Sequence, residues 1–152
     1  MKKIITFVFL ITIIVSCQNN CNKVKSIYVS DLLISYTKNK DIKYCSILYL
    51  ASIGNKESIS KLIKLQIYDS AGYDHGNVIV NLIEYLGEDE FIKAIKKDIT
   101  NKDKDILMGY LKVGIEYNDK YKSKKVKDIF PKVYYFITNS THNNKPPNSS
   151  SL

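Results

Sequence analysis

Apolar residues recur at steps of three and four along most of the chain between Val24 and Thr138. Ile59, Leu62 and Ile63 show this spacing, which places them on one face of a helix. No stretch shows the sustained alternation that a strand would require, so we expect an all-α fold. The pattern predicts seven amphipathic helices, over residues 23–38, 41–53, 56–70, 75–86, 89–100, 103–117 and 122–138.

Glycine, asparagine and proline mark the expected ends of these helices. Gly54, Gly72 and Gly87 fall where helices should stop, because glycine readily adopts the backbone conformation that ends a helix. Asn55 is placed to cap the helix that follows Gly54. Pro131 cannot donate a backbone hydrogen bond, so the last helix is expected to break there.

A weak internal repeat appears when the chain is shifted by 33 residues. The shift places Ile53 on Leu86 and Gly54 on Gly87. Residues 41–62 resemble one helical hairpin of a HEAT repeat, although several apolar positions fall on polar ones and no third copy follows. The resemblance implies a short HEAT-like array, and a compact bundle of about six to seven helices would give the same pattern.

The N-terminal segment has the layout of a signal for export. Lys2 and Lys3 precede a mostly apolar run of twelve residues, Ile4 to Val15. A helix needs about 20 apolar residues to cross a membrane, so this run is too short for a stable span. It has the length of the hydrophobic region of a secretory signal peptide.

Residues Ile14-Val15-Ser16-Cys17 resemble the lipobox of bacterial lipoproteins. The resemblance implies cleavage between Ser16 and Cys17 and a lipid on the Cys17 thiol. It implies a cell-membrane or outer-membrane anchor that faces the periplasm or the exterior. Two or more acyl chains would hold the protein firmly.

The chain is therefore divided into four parts. We expect a signal peptide over residues 1–16, a lipidated cysteine and short polar tether over 17–22, and a helical domain over 23–138. Residues 139–152 are polar and contain two adjacent prolines, so we expect a disordered tail there.

Cys21 and Cys45 leave two interpretations open. An exported domain can form disulfides, so the two residues could pair. Alternatively, Cys45 is a small buried residue on the apolar face of its helix and Cys21 belongs to the tether. The cysteine and histidine spacing does not fit a zinc site, so we expect no metal and no cofactor.

The net charge of +8 comes from a chain in which every basic residue is lysine. Bidentate recognition of phosphate favours arginine, and an exported protein is an improbable partner of nucleic acid, so we expect none. Lys122, Lys124 and Lys125 belong to a basic cluster beside several aromatic residues. The cluster could contact anionic lipid, an acidic partner or a polyanion, or it could be a solvated helix face.

Tyr73, Asp74 and His75 would form an interesting polar group if their turn lined a pocket. The simpler expectation is that Asp74 caps a helix and His75 is exposed in its first turn. Neighbouring residues on a helix do not face each other, so Asp74 cannot orient His75 as a catalytic base. The sequence shows no other pairing of a nucleophile with a base, and we therefore expect no enzyme.

The favoured hypothesis is a membrane-anchored, non-catalytic helical module that binds a protein in the cell envelope, as an immunity or adaptor protein does. One alternative is a hydrolase that acts on envelope polymers, and another is a structural spacer. A binding module should expose a patch rich in tyrosine or charge, whereas a hydrolase should have a deep cleft with convergent polar groups.

Overall fold

A computed structural model describes residues 21–139, and these residues form eight helices and one short hairpin. The all-α fold is thus confirmed. The predicted signal peptide, Cys17 and residues 140–152 of the predicted tail lie outside the described residues. The elements are β1 Lys23–Val24, β2 Ile27–Tyr28, α1 Asp31–Asn39, α2 Tyr44–Ser52, α3 Lys56–Lys64, α4 Asp69–Leu86, α5 Glu88–Ile95, α6 Asn101–Glu116, α7 Val126–Ile129 and α8 Pro131–Asn139.

The first predicted helix, 23–38, is wrong in its first half. Strands β1 and β2 pair antiparallel there, with Val24 opposite Ile27, and both side chains are buried. Helix α1 begins only after Ser30, whose hydroxyl accepts a hydrogen bond of 3.1 Å from the Leu33 N–H. This cap fixes the start of the helix, and the short β-branched segment before it packs as a hairpin.

The boundary between α3 and α4 also differs from the prediction. Helix α3 ends at Lys64 rather than at residue 70, and α4 begins at Asp69 rather than at residue 75. Gly72 lies inside α4, so its predicted role as a helix end is wrong. A Cβ atom on Gly72 would lie 2.8 Å from the Ile67 carbonyl oxygen, so the residue serves close packing instead.

Other predicted helix ends are confirmed. Gly54 and Gly87 both have positive φ angles, +84° and +80°, which suit glycine. The Asn55 side chain accepts a hydrogen bond of 2.9 Å from the Ser58 N–H and caps α3. The predicted helix 122–138 is replaced by turns up to residue 125 and by α7 and α8, with the break at Pro131.

Helices α4 and α6 form the centre of the molecule and pack closely against each other. Gly76 and Gly114 face each other at their crossing, where a Cβ atom on Gly76 would lie 2.6 Å from the Tyr110 carbonyl oxygen. The remaining helices surround this pair. Helices α2 and α3 form one contacting hairpin and α4 and α5 another, and α2 contacts α4 while α3 contacts α5.

The apolar side chains of all the helices meet in one continuous core, to which the hairpin contributes Val24 and Ile27. Each of these burials removes apolar surface from water, and their sum is the main force that holds the bundle together. None of the helices within residues 21–139 has both the length and the apolar character needed to cross a membrane.

Candidate functional site

His75 lies in the interior of the molecule and not at an exposed helix start. It sits near the middle of α4 and is completely buried, so its predicted exposure and the predicted capping role of Asp74 are wrong. The His75 Nε2 atom lies 3.0 Å from the Leu62 carbonyl oxygen, which can only accept a hydrogen bond. Nε2 therefore carries the proton, and Nδ1 accepts a hydrogen bond of 2.7 Å from the Tyr44 hydroxyl.

Burial holds His75 in its neutral form, although the hydrogen bond to the Leu62 carbonyl raises its pKa slightly in the opposite direction. Burial lowers the pKa of His75 to about 4, because the charged ring would lose its hydration. The rings of Tyr44 and Tyr110 meet the imidazole edge-on, at centroid distances of 5.6 Å and 4.6 Å. His75 thus fastens α4 to α2, α3 and α6, and its role is structural.

The three candidate residues of this turn do not converge on one site. The Asp74 carboxylate accepts a hydrogen bond from the Ser30 hydroxyl and so ties α4 to the start of α1. Tyr73 is exposed, and its ring stacks on that of Tyr117 at 4.7 Å with an interplanar angle of 10°. Of the three, Tyr73 is the most exposed, Asp74 is partly buried and His75 is completely buried.

Tyr73 lines a surface groove of about 510 Å³ between the start of α4, the loop before it and helix α6. We call it the tyrosine groove. Asp69 and Lys102 stand at its rim. Its walls and floor include Tyr68, Tyr73, Ile106, Gly109, Tyr110 and Val113.

The walls of the tyrosine groove are fixed by hydrogen bonds. The Tyr110 hydroxyl donates to the Leu65 carbonyl at 2.5 Å and accepts from the Ile67 N–H at 3.2 Å. These bonds join α6 to the loop between α3 and α4. Burial of the Tyr110 ring raises the pKa of its hydroxyl, so the hydroxyl stays protonated. Tyr68 remains 60% exposed at the edge of the groove. The groove therefore presents aromatic surface on a rigid support.

Gly109 has no role in the packing of the fold. It lies inside α6, where glycine lowers helix stability by about 0.5–1 kcal/mol relative to alanine. A Cβ atom at this position would meet no atom within 4 Å, in contrast to Gly76 and Gly114. The missing side chain leaves the floor of the tyrosine groove open.

A second concavity, which we call the lysine cleft, has a volume of about 590 Å³ and lies between α6, α7, α8 and the turns before α7. The predicted residues Lys124 and Lys125 line it, whereas Lys122 does not. Four lysines surround it: Lys112, Lys124, Lys125 and Lys127. Apolar surface comes from Met108, Ile115, Val126 and Tyr134, and Glu116 and Ser123 complete the lining.

Cys21 and Cys45 form a disulfide, with their Cα atoms 5.8 Å apart, well within the usual range. The interpretation of Cys45 as an unpaired core residue is therefore wrong. Cys21 is part of the folded domain, because the neighbouring Asn22 carbonyl accepts a hydrogen bond of 2.9 Å from the Val29 N–H. The bond joins the start of the hairpin to helix α2.

Within residues 21–139, no group of three or more histidine, cysteine or acidic side chains is placed to hold a metal ion. Comparison of the chain with protein-family models, with curated proteins and with solved structures gave no match.

Proposed function

We propose that this chain is a lipid-anchored protein of the bacterial cell envelope whose helical domain binds a protein partner without catalysis. The proposed binding site is the tyrosine groove, and the geometry of this groove is the main support for the proposal. An immunity or adaptor protein works in this way, by covering a segment of its partner.

The disulfide supports the envelope location. Disulfides form and persist in oxidising compartments outside the cytosol, and Cys21 and Cys45 are paired. The lipobox ends only four residues before Cys21. Four residues span at most about 14 Å. A lipid on Cys17 would therefore hold the folded domain close to the membrane surface.

The composition and rigidity of the groove support protein binding. Tyrosine offers a large contact area at a small cost in conformational entropy, and it is enriched where proteins meet. Tyr110 is already fixed by two hydrogen bonds, so this side chain loses little conformational entropy when a partner binds. The open floor at Gly109 lets the backbone of an extended segment approach α6 closely.

The anchor is tested by the mass of the N-terminal peptide isolated from membranes of expressing bacteria. We expect Cys17 to be the first residue and to carry diacylglycerol, with or without a further acyl chain on its amino group. A Cys17→Ala variant should be left unlipidated and should not be held by the mature anchor. An unmodified Cys17 in the soluble fraction would contradict the proposed location.

Binding at the groove is tested with two variants that carry a photo-crosslinking amino acid. One has it in place of Lys102, on the rim of the groove, and the control has it in place of Lys38, on the exposed side of α1. We expect a cross-linked protein from position 102 and none from position 38. Tyr68→Ala should weaken binding of that protein at least tenfold. Truncation of a tyrosine at an interface hot spot costs about 2 kcal/mol of binding free energy. Gly109→Ala should also weaken it, by narrowing the floor.

Tyr135→Ala is the matched control, since Tyr135 is 67% exposed on α8, outside the groove. This variant should leave unchanged both the yield of the cross-linked product and the affinity for the partner protein. Equal losses from Tyr68→Ala and Tyr135→Ala, or a product that is insensitive to both groove variants, would contradict the proposed site.

A further inference from the structure

The lysine cleft carries an excess of positive charge, because four lysines and one acidic residue, Glu116, line it. The ion pairs that Lys64, Lys93, Lys120 and Lys132 form lie outside the cleft. Like charges that share a concave surface repel each other, and an anion between them would relieve that repulsion.

The segment that carries two of these lysines is held in place by its own contacts. Tyr121 is buried, its hydroxyl donates to the Glu84 carboxylate, and its ring meets that of Phe130 at 6.2 Å. Ser123 has a φ angle of +69°, which is uncommon for a residue other than glycine. The backbone that presents Lys124 and Lys125 is therefore fixed, although their side chains are exposed.

The floor of the cleft is apolar. Met108 and Tyr134 are partly buried against the core, and Ile115 and Val126 lie beneath the surface beside them. An ion that carried charge alone would leave this apolar surface in contact with water. An occupant that matches the whole cleft has an anionic group for the rim and a hydrocarbon part for the floor.

The size of the cleft suits a small molecule. A volume of about 590 Å³ falls within the usual range for small-ligand sites, about 300–1,000 Å³. Lysine acts as a flexible point charge, which accommodates a tetrahedral phosphate or a planar carboxylate equally.

We propose that the lysine cleft binds an anionic amphiphile, with a phosphate or carboxylate headgroup among the lysines and a single acyl chain on the apolar floor. This site is separate from the tyrosine groove and does not depend on the binding of a protein there. A protein anchored at a membrane would meet such molecules as products of lipid turnover.

The test uses the full chain, extracted from membranes in a nonionic detergent, and two photoreactive probes. One is a long-chain alkyl phosphate and the other is a long-chain fatty acid, and together they distinguish the two headgroups. We expect saturable labelling of the peptides that contain residues 108–134 by at least one probe. A zwitterionic analogue of the same chain length and inorganic phosphate should both compete poorly, because each lacks one half of the ligand.

Charge variants separate a site from a general attraction to a basic protein. Lys124→Gln with Lys125→Gln should raise the half-saturating probe concentration about tenfold or more, since a hydrogen bond to a charged group is worth roughly that in affinity. Lys38→Gln with Lys43→Gln changes the net charge equally but lies on another part of the surface, and it should have less than a twofold effect.

Several outcomes would overturn the proposal. Equal losses from the two double variants would show attraction to net charge only. Labelling of other peptides would show that the acyl chain of the probe enters the detergent micelle or the apolar core of the protein. Equal labelling by the zwitterionic analogue would show the same. An acidic peptide that displaced the probes more strongly than the unlabelled amphiphile would assign the cleft to a protein partner instead.

Discussion

His75 is a histidine that the fold keeps uncharged. Both of its ring nitrogens have hydrogen-bond partners within the core, Tyr44 and the Leu62 carbonyl, and the surrounding core excludes the water that would solvate a charged ring. Burial places the folded-state pKa at about 4, whereas histidine in an unfolded chain has a pKa of about 6.5. This difference makes the stability of the domain depend on pH.

The first prediction follows from that difference. Between pH 6.5 and pH 4 the unfolded chain binds more protons at His75 than the folded chain does, so acid favours unfolding. The stability associated with a neutral His75 is fully present above pH 6.5 and declines as the pH falls toward 4. The loss should approach about 3 kcal/mol at the lower end. Urea unfolding at pH 7.5, 5.5 and 4.5 measures it.

Two variants isolate the contribution of His75. His75→Gln retains a donor toward the Leu62 carbonyl but does not titrate, so its stability should change less between pH 7.5 and pH 4.5, although it is lower throughout. His142→Gln removes the other histidine of the chain, which lies outside the described residues, and should leave the pH dependence unaltered. An identical dependence in His75→Gln and in the unmodified chain would refute the assignment.

Single residues were predictable from the sequence where their role is local. The Asn55 cap depends on the three residues that follow it, and the prediction is confirmed. The role of His75 depends on Tyr44, 31 residues away, and on the true start of α4. Because the sequence pattern predicts a helix that begins at residue 75, it places His75 in a solvent-exposed first turn.

At the scale of the helices, the crossing of α4 and α6 depends on two glycines. Gly114→Ala would place a Cβ atom against the Gly76 carbonyl group, where the neighbour is backbone and cannot turn aside. The two central helices would have to separate, and we expect a loss of about 3 kcal/mol or more. Thermal or urea unfolding of the variant measures the loss.

Gly109→Ala provides the matched control in the same helix. Its Cβ atom enters open space, so only the gain in helix propensity remains, and we expect an increase in stability of about 0.5–1 kcal/mol. Equal destabilisation by the two substitutions would contradict the packing argument. A more stable Gly109→Ala variant with weaker partner binding would show that the glycine serves the groove and not the fold.

The helices themselves were predictable because their apolar residues recur with the helical period, and the bundle follows from the need to bury those faces. The boundaries were less predictable. The segment Leu65–Tyr68 continues the apolar spacing of α3, but Tyr110 binds its backbone and holds it in a loop. A contact from a residue more than 40 positions later thus overrides the local pattern.

At the scale of the whole molecule, the two concavities join parts of the chain that are far apart in sequence. The tyrosine groove combines residues 66–73 with residues 102–113, and the lysine cleft combines α6 with the segment around α7 and with α8. The sequence singled out Tyr73, Lys124 and Lys125, because exposed aromatic and basic residues are visible there. It could not show that Tyr73 and the lysines belong to different sites.

The disulfide links the N-terminal hairpin to the bundle, and its loss should affect the molecule as a whole. It closes a loop with a sequence separation of 24 residues, so removing it frees the unfolded chain and should lower the free energy of unfolding by about 3 kcal/mol.

A Cys21→Ser, Cys45→Ser variant tests this by urea unfolding with and without a reductant. Reductant should lower the urea midpoint of the unmodified chain and leave that of the double variant unchanged, because the double variant lacks the Cys21–Cys45 disulfide. An equal shift of the urea midpoint in both proteins would mean that the reductant acts on a different disulfide. A shift in neither would mean that the domain does not depend on this bond, and that its stability comes from the packing around α4 and α6.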